Sequence, residues 1–169
     1  MQTRATPAPA TPLERFNTAP AEEAAQTLLA CLHSHAWAHC LTAHRPYPDL
    51  PALLAAADEA SYDLSPDDLT EALAAETLPD LPEDTYAAAH TALNAAHAAY
   101  ESRFGHVFVI CLDGLPQDET LNHALTAIRS RLNNDLDEER LVTAEELRHL
   151  AKTRLSSALR GAGNCASNH

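Results

Sequence analysis

Glycine, aromatic side chains and lysine are all scarce in this chain, and each shortage removes a class of protein. Four Gly in 169 residues leave no G-x-G or G-K-[ST] run, so neither a dinucleotide-binding fingerprint nor a phosphate-cradling loop is present. The same scarcity argues against a turn-dense β sandwich. Aromatics make up 5% of the residues, which leaves Phe16 and Trp37 as expected core anchors. Lys152 is the only lysine, and 11 Lys and Arg against 24 Asp and Glu give a net charge of -13. Such a field repels nucleic acid and anionic membranes. No apolar stretch approaches the roughly 18 residues of a membrane span. The four Cys form no C-x-x-C pair, and no basic segment with a following apolar run marks a secretory signal. A reducing cytoplasm is therefore the expected compartment.

What the chain has in excess is alanine, about a fifth of its residues. Ala has the best helix propensity and adds no bulk to a sheet core, so the expected fold is an all-α single-domain helical bundle. Residues 1–12 hold three Pro among Ala and Thr and read as a disordered leader, residues 13–160 as the folded domain, and residues 161–169 as a flexible tail. Helices are expected over Ala21 to Leu32, Ala36 to Ala43, Pro51 to Tyr62, and from Pro66 to about Glu76, the last with Ser65 as its cap. Two Pro force a loop at Thr77 to Asp84. The longest periodic run, Asp84 to Phe104, ends at Gly105. Beyond it, Val107 to Leu112 is the one β-branched apolar run and reads as a buried extended crossing. The flanking long helices should sandwich it, with Ala88, Ala92 and Ala99 allowing close approach. Two further helices follow, about Asp118 to Asn133 and Asp137 to Leu159, the latter with Leu141, Leu147, Leu150 and Leu155 on its apolar face.

Candidate chemistry is sparse. Cys31, His35 and His39 fall at i, i+4 and i+8 and would align on a continuous helix, but a break near His33-Ser34 splits the stripe and no fourth ligand sits beside it. No metal is expected. His90 and His97 read as exposed or half-buried residues, and Cys111 as a buried small hydrophobe inside its apolar run. Arg129 and Arg131, with Arg148, Lys152 and Arg154 on the final helix, read on spacing alone as a solvated face paired with Glu138, Glu139, Glu145 and Glu146.

Six short motifs occur in order: Phe16-Asn17, Trp37-Ala38, Arg45-Pro46, the run Tyr100 to Cys111 (YESRFGHVFVIC), Arg131 to Asp135 (RLNND), and Glu146-Leu147 with Arg154-Leu155. In order and spacing they resemble the 2-oxo-4-hydroxy-4-carboxy-5-ureidoimidazoline (OHCU) decarboxylases of urate breakdown. The Tyr100 to Cys111 run is the specific part. The resemblance implies an all-helical fold, a homodimer, and a decarboxylation without cofactor that yields (S)-allantoin. Loss of CO2 leaves an enolate-like anion that must be stabilised and then protonated on one face.

For that chemistry the resemblance implies a His in a His-Pro motif, a Glu-Gln pair in the next loop, an Arg on the last helix facing the substrate's negative charge, and a backbone wall. Arg154 matches the Arg, and Phe108, Val109, Ile110, Cys111 and Leu112 match the wall, which makes these the expected substrate-binding residues. Glu76 stands where the His belongs, and the loop is shortened to Leu78 to Tyr86, with Glu83 but no Glu-Gln. Glu76 and Glu83 are thus the candidate proton carriers. Without a compensating cation, Glu76 would repel an anionic substrate by about 1 to 4 kcal/mol at 4 Å. Two readings follow: a decarboxylase-family protein of low or no activity toward a ureido-imidazoline or purine-derived acid, or a non-catalytic binding or partner module on the same scaffold.

Overall fold

The computed structural model describes residues 8–79, 81 and 87–160. Among them run eight helices and no strand: α1 (Pro12–Thr18), α2 (Ala21–Leu29), α3 (His35–Ala43), α4 (Leu50–Tyr62), α5 (Pro66–Ala75), α6 (Ala87–Phe104), α7 (Thr120–Arg131) and α8 (Leu136–Leu159). The all-α expectation holds. Most starts are local chemistry. Thr11, Ser65 and Asp135 each accept a hydrogen bond from the amide three residues on, while Glu14, Asp68 and Glu138 reach back to the cap amide. These reciprocal boxes satisfy two otherwise orphaned donors per helix. Ser34 and Asp49 cap α3 and α4 in the simpler way.

Several expectations change. Pro12, read as the end of a disordered leader, opens α1, where its missing N–H costs nothing. The Ala21 to Leu32 run stops being helical at Leu29, and α7 is two residues shorter at each end than expected. Of the small residues meant to allow close approach on α6, Ala88 and Ala99 are exposed, and Ala89 and Ala96 pack inward instead. Leu141 is 71% exposed, so it is no part of the α8 core face. The expected leader as far as Pro7, the residues Asp84 to Tyr86, and the tail from Gly161 lie outside the described residues.

The core has two parts. One gathers α1 to α5 around Leu28, Trp37, Leu41, Leu53 and Ala72; the other joins α6 and α7 around Leu93, Tyr100, Leu121 and Ile128. Trp37 and Phe16 are buried as expected, and the Trp37 indole donates to the Ala57 carbonyl at 3.1 Å. The Val107 to Leu112 segment runs between the two parts. Its side chains alternate, as extended backbone requires, so that Phe108 and Ile110 join the α6–α7 cluster while Val109 faces the other.

Helix α8 serves both parts because of how its buried residues are spaced. Glu139, Thr143, Leu147, Ala151, Leu155 and Leu159 recur every fourth position. Four residues turn a helix by about 400°, so the stripe advances about 40° per step and winds some 200° around the axis. Its first turns therefore meet Tyr100 and Arg131, and its later ones meet α4. The Phe16-Asn17 and Arg45-Pro46 motifs also acquire a structural reason. Arg45 Nη1 donates to the carbonyls of Phe16 and Ala19, each at 2.7 Å, and Asn17 exchanges two 2.9 Å hydrogen bonds with the Tyr47 backbone. Gly105 ends α6 at φ +79°, a left-handed conformation that few L side chains adopt.

Candidate functional site

Glu76 is the C-cap of α5, where the backbone turns from helical to extended (φ -76°, ψ 147°). That exit aims its carboxylate at α8. Arg154 meets it there with two parallel hydrogen bonds, Nη1 to Oε1 at 2.7 Å and Nη2 to Oε2 at 3.0 Å. Nη1 also donates to the Cys31 carbonyl at 3.1 Å, tying the pair to the turn after α2. The Glu76 side chain is 7% exposed and that of Arg154 37%. Fork-to-fork pairing of this kind is the strongest that a carboxylate and a guanidinium make. It raises the Arg154 pKa, with the Glu76 hydrogen bond leading and burial opposing.

Two hollows share Glu76, Thr77 and Arg154. The first, about 310 Å³, is walled by Leu78, Pro79, Val109, Ile110, Leu112 and Leu150. The second, about 320 Å³, is lined by Leu29, Ala30, Cys31, His33 and Ala75. Their size suits one small heterocycle. The Cys31 thiol at the edge of the second is buried, and that burial pushes its pKa up to about 11 against the opposing pull of Arg154. Its Sγ lies 3.4 Å from the Thr27 carbonyl, to which it donates. It is therefore a poor nucleophile.

The expected substrate-binding wall is only partly at the cleft. Val109, Ile110 and Leu112 line it. Phe108 is fully buried in the α6–α7 cluster, 4.5 Å beneath the Arg131 guanidinium. Cys111 is half-buried, contrary to the sequence reading, and its N–H donates to Glu146 Oε2 at 2.7 Å. That backbone donor is engaged by the protein itself. Glu83, the second candidate proton carrier, lies outside the described residues.

The other candidates scatter. Cys31 sits in the turn after α2, while His35 opens α3 and pairs with Glu71 at 3.0 Å, so with His39 they make no common stripe. Among the described residues no group of three or more His, Cys, Asp or Glu could hold a metal. His97 is buried, where exposure or half-burial was expected: among the described residues its Nδ1 has no partner, its ring lies 5.7 Å from that of Phe108, and burial lowers its pKa.

The solvated-face reading of the basic residues, already broken by the Arg154–Glu76 pair, fails again at Arg131. Arg131 is buried against Glu139, with Nε to Oε1 at 2.7 Å, and it donates to Val109 O at 2.6 Å and to Thr143 Oγ1 at 3.1 Å. Tyr100 donates its hydroxyl to the same Glu139 oxygen at 2.5 Å, and Asn134 donates to the other at 3.0 Å. This network fixes the crossing that forms the cleft wall. Sequence reasoning missed it because Glu139 looks like any acid in the first turn of a helix; its place at the head of the every-fourth-residue stripe was the available signal.

The fold is an all-helical one that carries a cleft of small-molecule size over a carboxylate–guanidinium pair. The OHCU decarboxylase family model matches residues 17–89 and 80–156. The chain belongs to the OHCU decarboxylase family. Among solved structures, that of an (S)-allantoin synthase is 24% identical with a TM-score of 0.69, over 89% of this chain and 54% of that one. The structure of an OHCU decarboxylase in the presence of (S)-allantoin is 21% identical with a TM-score of 0.66, over 78% of this chain and 95% of that one. At these identities the likeness is one of fold. This chain spans about half the length of the (S)-allantoin synthase. No curated protein sequence matches it.

Proposed function

We propose that this chain binds a ureido-imidazoline-type ring, or a related purine-derived compound, in the cleft beside Glu76 and Arg154, and that it decarboxylates OHCU slowly or not at all. One observation carries the reading: the carboxylate that stands in place of the implied acid–base His has both oxygens engaged by Arg154. A general base must offer a lone pair along the path of the proton it takes. A carboxylate clasped by a guanidinium holds its best lone pairs elsewhere. The same contact fills the fork through which Arg154 would meet a substrate carboxylate. Both functions implied by the resemblance, proton transfer and charge recognition, are thus turned on each other. The setting is a cytoplasmic homodimer with no metal or cofactor.

The test is allantoin formation from freshly generated OHCU followed by circular dichroism, because spontaneous decay gives a racemate and enzymatic turnover gives one hand. Loss of positioned acid–base catalysis removes about 10²- to 10⁴-fold in rate, so the optical signal should stay near the uncatalysed baseline. Enantioselective turnover that Glu76→Gln abolishes would show that Glu76 is the proton carrier and overturn this reading.

A further inference from the structure

We infer that Glu76 sets the class of ligand this cleft accepts: it excludes carboxylates and selects a neutral cyclic amide or ureide that donates N–H groups. The inference rests on the binding half of the proposed function and adds the charge of the ligand to it.

Arg154 is the one Lys or Arg among the described residues lining either hollow. Three of its five N–H donors are engaged, both of Nη1 by Glu76 Oε1 and the Cys31 carbonyl and one of Nη2 by Oε2. An entering carboxylate that takes the Nη1–Nη2 fork displaces Glu76, stranding a side chain that is 7% exposed. A buried carboxylate without its partner is costly. Left paired, Glu76 confronts the newcomer with a like charge. A second carboxylate, that of Glu146, stands behind the wall at the Cys111 N–H. Among the described residues that line the hollows, none makes up the missing positive charge.

A neutral N–H donor meets the opposite conditions. An ionised carboxylate offers about four lone-pair sites, and Arg154 occupies two. The remainder accept ring or amide N–H groups while the ion pair stays intact. Val109, Ile110, Leu112 and Leu150 supply apolar walls for the ring faces in about 310 Å³. Selectivity then follows from charge, since removing a carboxylate from an otherwise identical ring changes little else.

The experiment compares dihydrouracil with dihydroorotate, the same ring without and with a carboxylate, by isothermal calorimetry on the full chain. The titration is run at about pH 8. The native protein should bind dihydrouracil at least about tenfold more tightly than dihydroorotate, and Glu76→Ala should invert that order by freeing Arg154. Preference of the native protein for dihydroorotate, binding of neither ligand at millimolar concentration, or an unchanged order in a folded Glu76→Ala variant each overturns the inference. If Glu76→Ala fails to fold by circular dichroism, the order in the native protein decides alone. Turnover of OHCU is read in a separate assay, so an active enzyme that prefers dihydrouracil would sink the low-activity reading and leave this one standing.

Discussion

Arg131 and Glu139 form an ion pair inside the protein, Nη2 lying 2.6 Å from Oε1 with side chains 8% and 1% exposed. Desolvating both ions is expensive, and the pair is tolerable because every strong partner is present: Tyr100, Thr143, Asn134 and the Val109 carbonyl complete the set. Such a pair is weak evidence of net stability but strong evidence of what its disruption costs. Replacing Glu139 by Ala leaves a buried guanidinium and should destabilise the fold by about 3 to 5 kcal/mol. The combined Arg131→Met and Glu139→Leu change should cost clearly less than the sum of the single changes. Urea denaturation of Glu139→Ala, of Arg131→Met and Glu139→Leu singly, and of the combined variant measures this, and strict additivity would show that the two residues do not act as a unit.

Legibility from sequence followed the range of the interaction. The box at Ser65 and Asp68 spans three residues and was readable directly, as were the Gly105 stop and the apolar crossing after it. The partners that define the site were not. Glu76 and Arg154 are 78 positions apart, and the motif match assigned each a separate role without showing that the two touch. Only the packing of α8 against the exit of α5 brings Arg154 to Glu76 as its compensating cation, and that packing has no local signal in the sequence.

His97 carries the clearest pH dependence. Burial lowers its folded-state pKa below the ordinary 6.5, so the unfolded chain binds a proton more readily. Stability from this source is complete above about pH 6.5 and falls as pH drops from there through the lowered folded value. His97→Leu removes both the titration and the orphaned Nδ1. Unfolding curves at about pH 7.5, 6.5 and 5.5 should slope downward for the native chain and flatten for the variant, above the range where carboxylates titrate. Parallel slopes would locate the dependence elsewhere.

Thiol reactivity should separate the cysteines. Cys40 is exposed and Cys31 is buried. With a pKa of about 11, Cys31 is ionised to only about one part in a thousand at pH 8. Peptide-resolved iodoacetamide labelling of the native protein should modify Cys40 within minutes and Cys31 only after denaturant is added. Because Arg154 pulls the Cys31 pKa down against burial, Arg154→Ala should slow Cys31 further, provided the fold persists. Equal labelling of the two thiols would contradict the burial that the turn after α2 imposes.

Glu76→His tests whether recognition and chemistry can be separated at this site. The change restores the residue type that the family resemblance implies and at the same time releases the Arg154 fork, which is 37% exposed and able to receive an anion. Binding of a carboxylated ring should therefore appear. Turnover should not follow, because the loop after α5 lacks the Glu-Gln pair that the same resemblance assigns to orienting substrate, and Cys111 still gives its N–H to Glu146. Proton transfer from an unoriented imidazole recovers little of the 10²- to 10⁴-fold that positioned catalysis supplies, so gains beyond about tenfold are not expected. Calorimetry reads the first half and circular dichroism of the product the second. A variant that gains both anion binding and rapid one-handed allantoin formation would mean that Glu76 alone holds the native chain inactive.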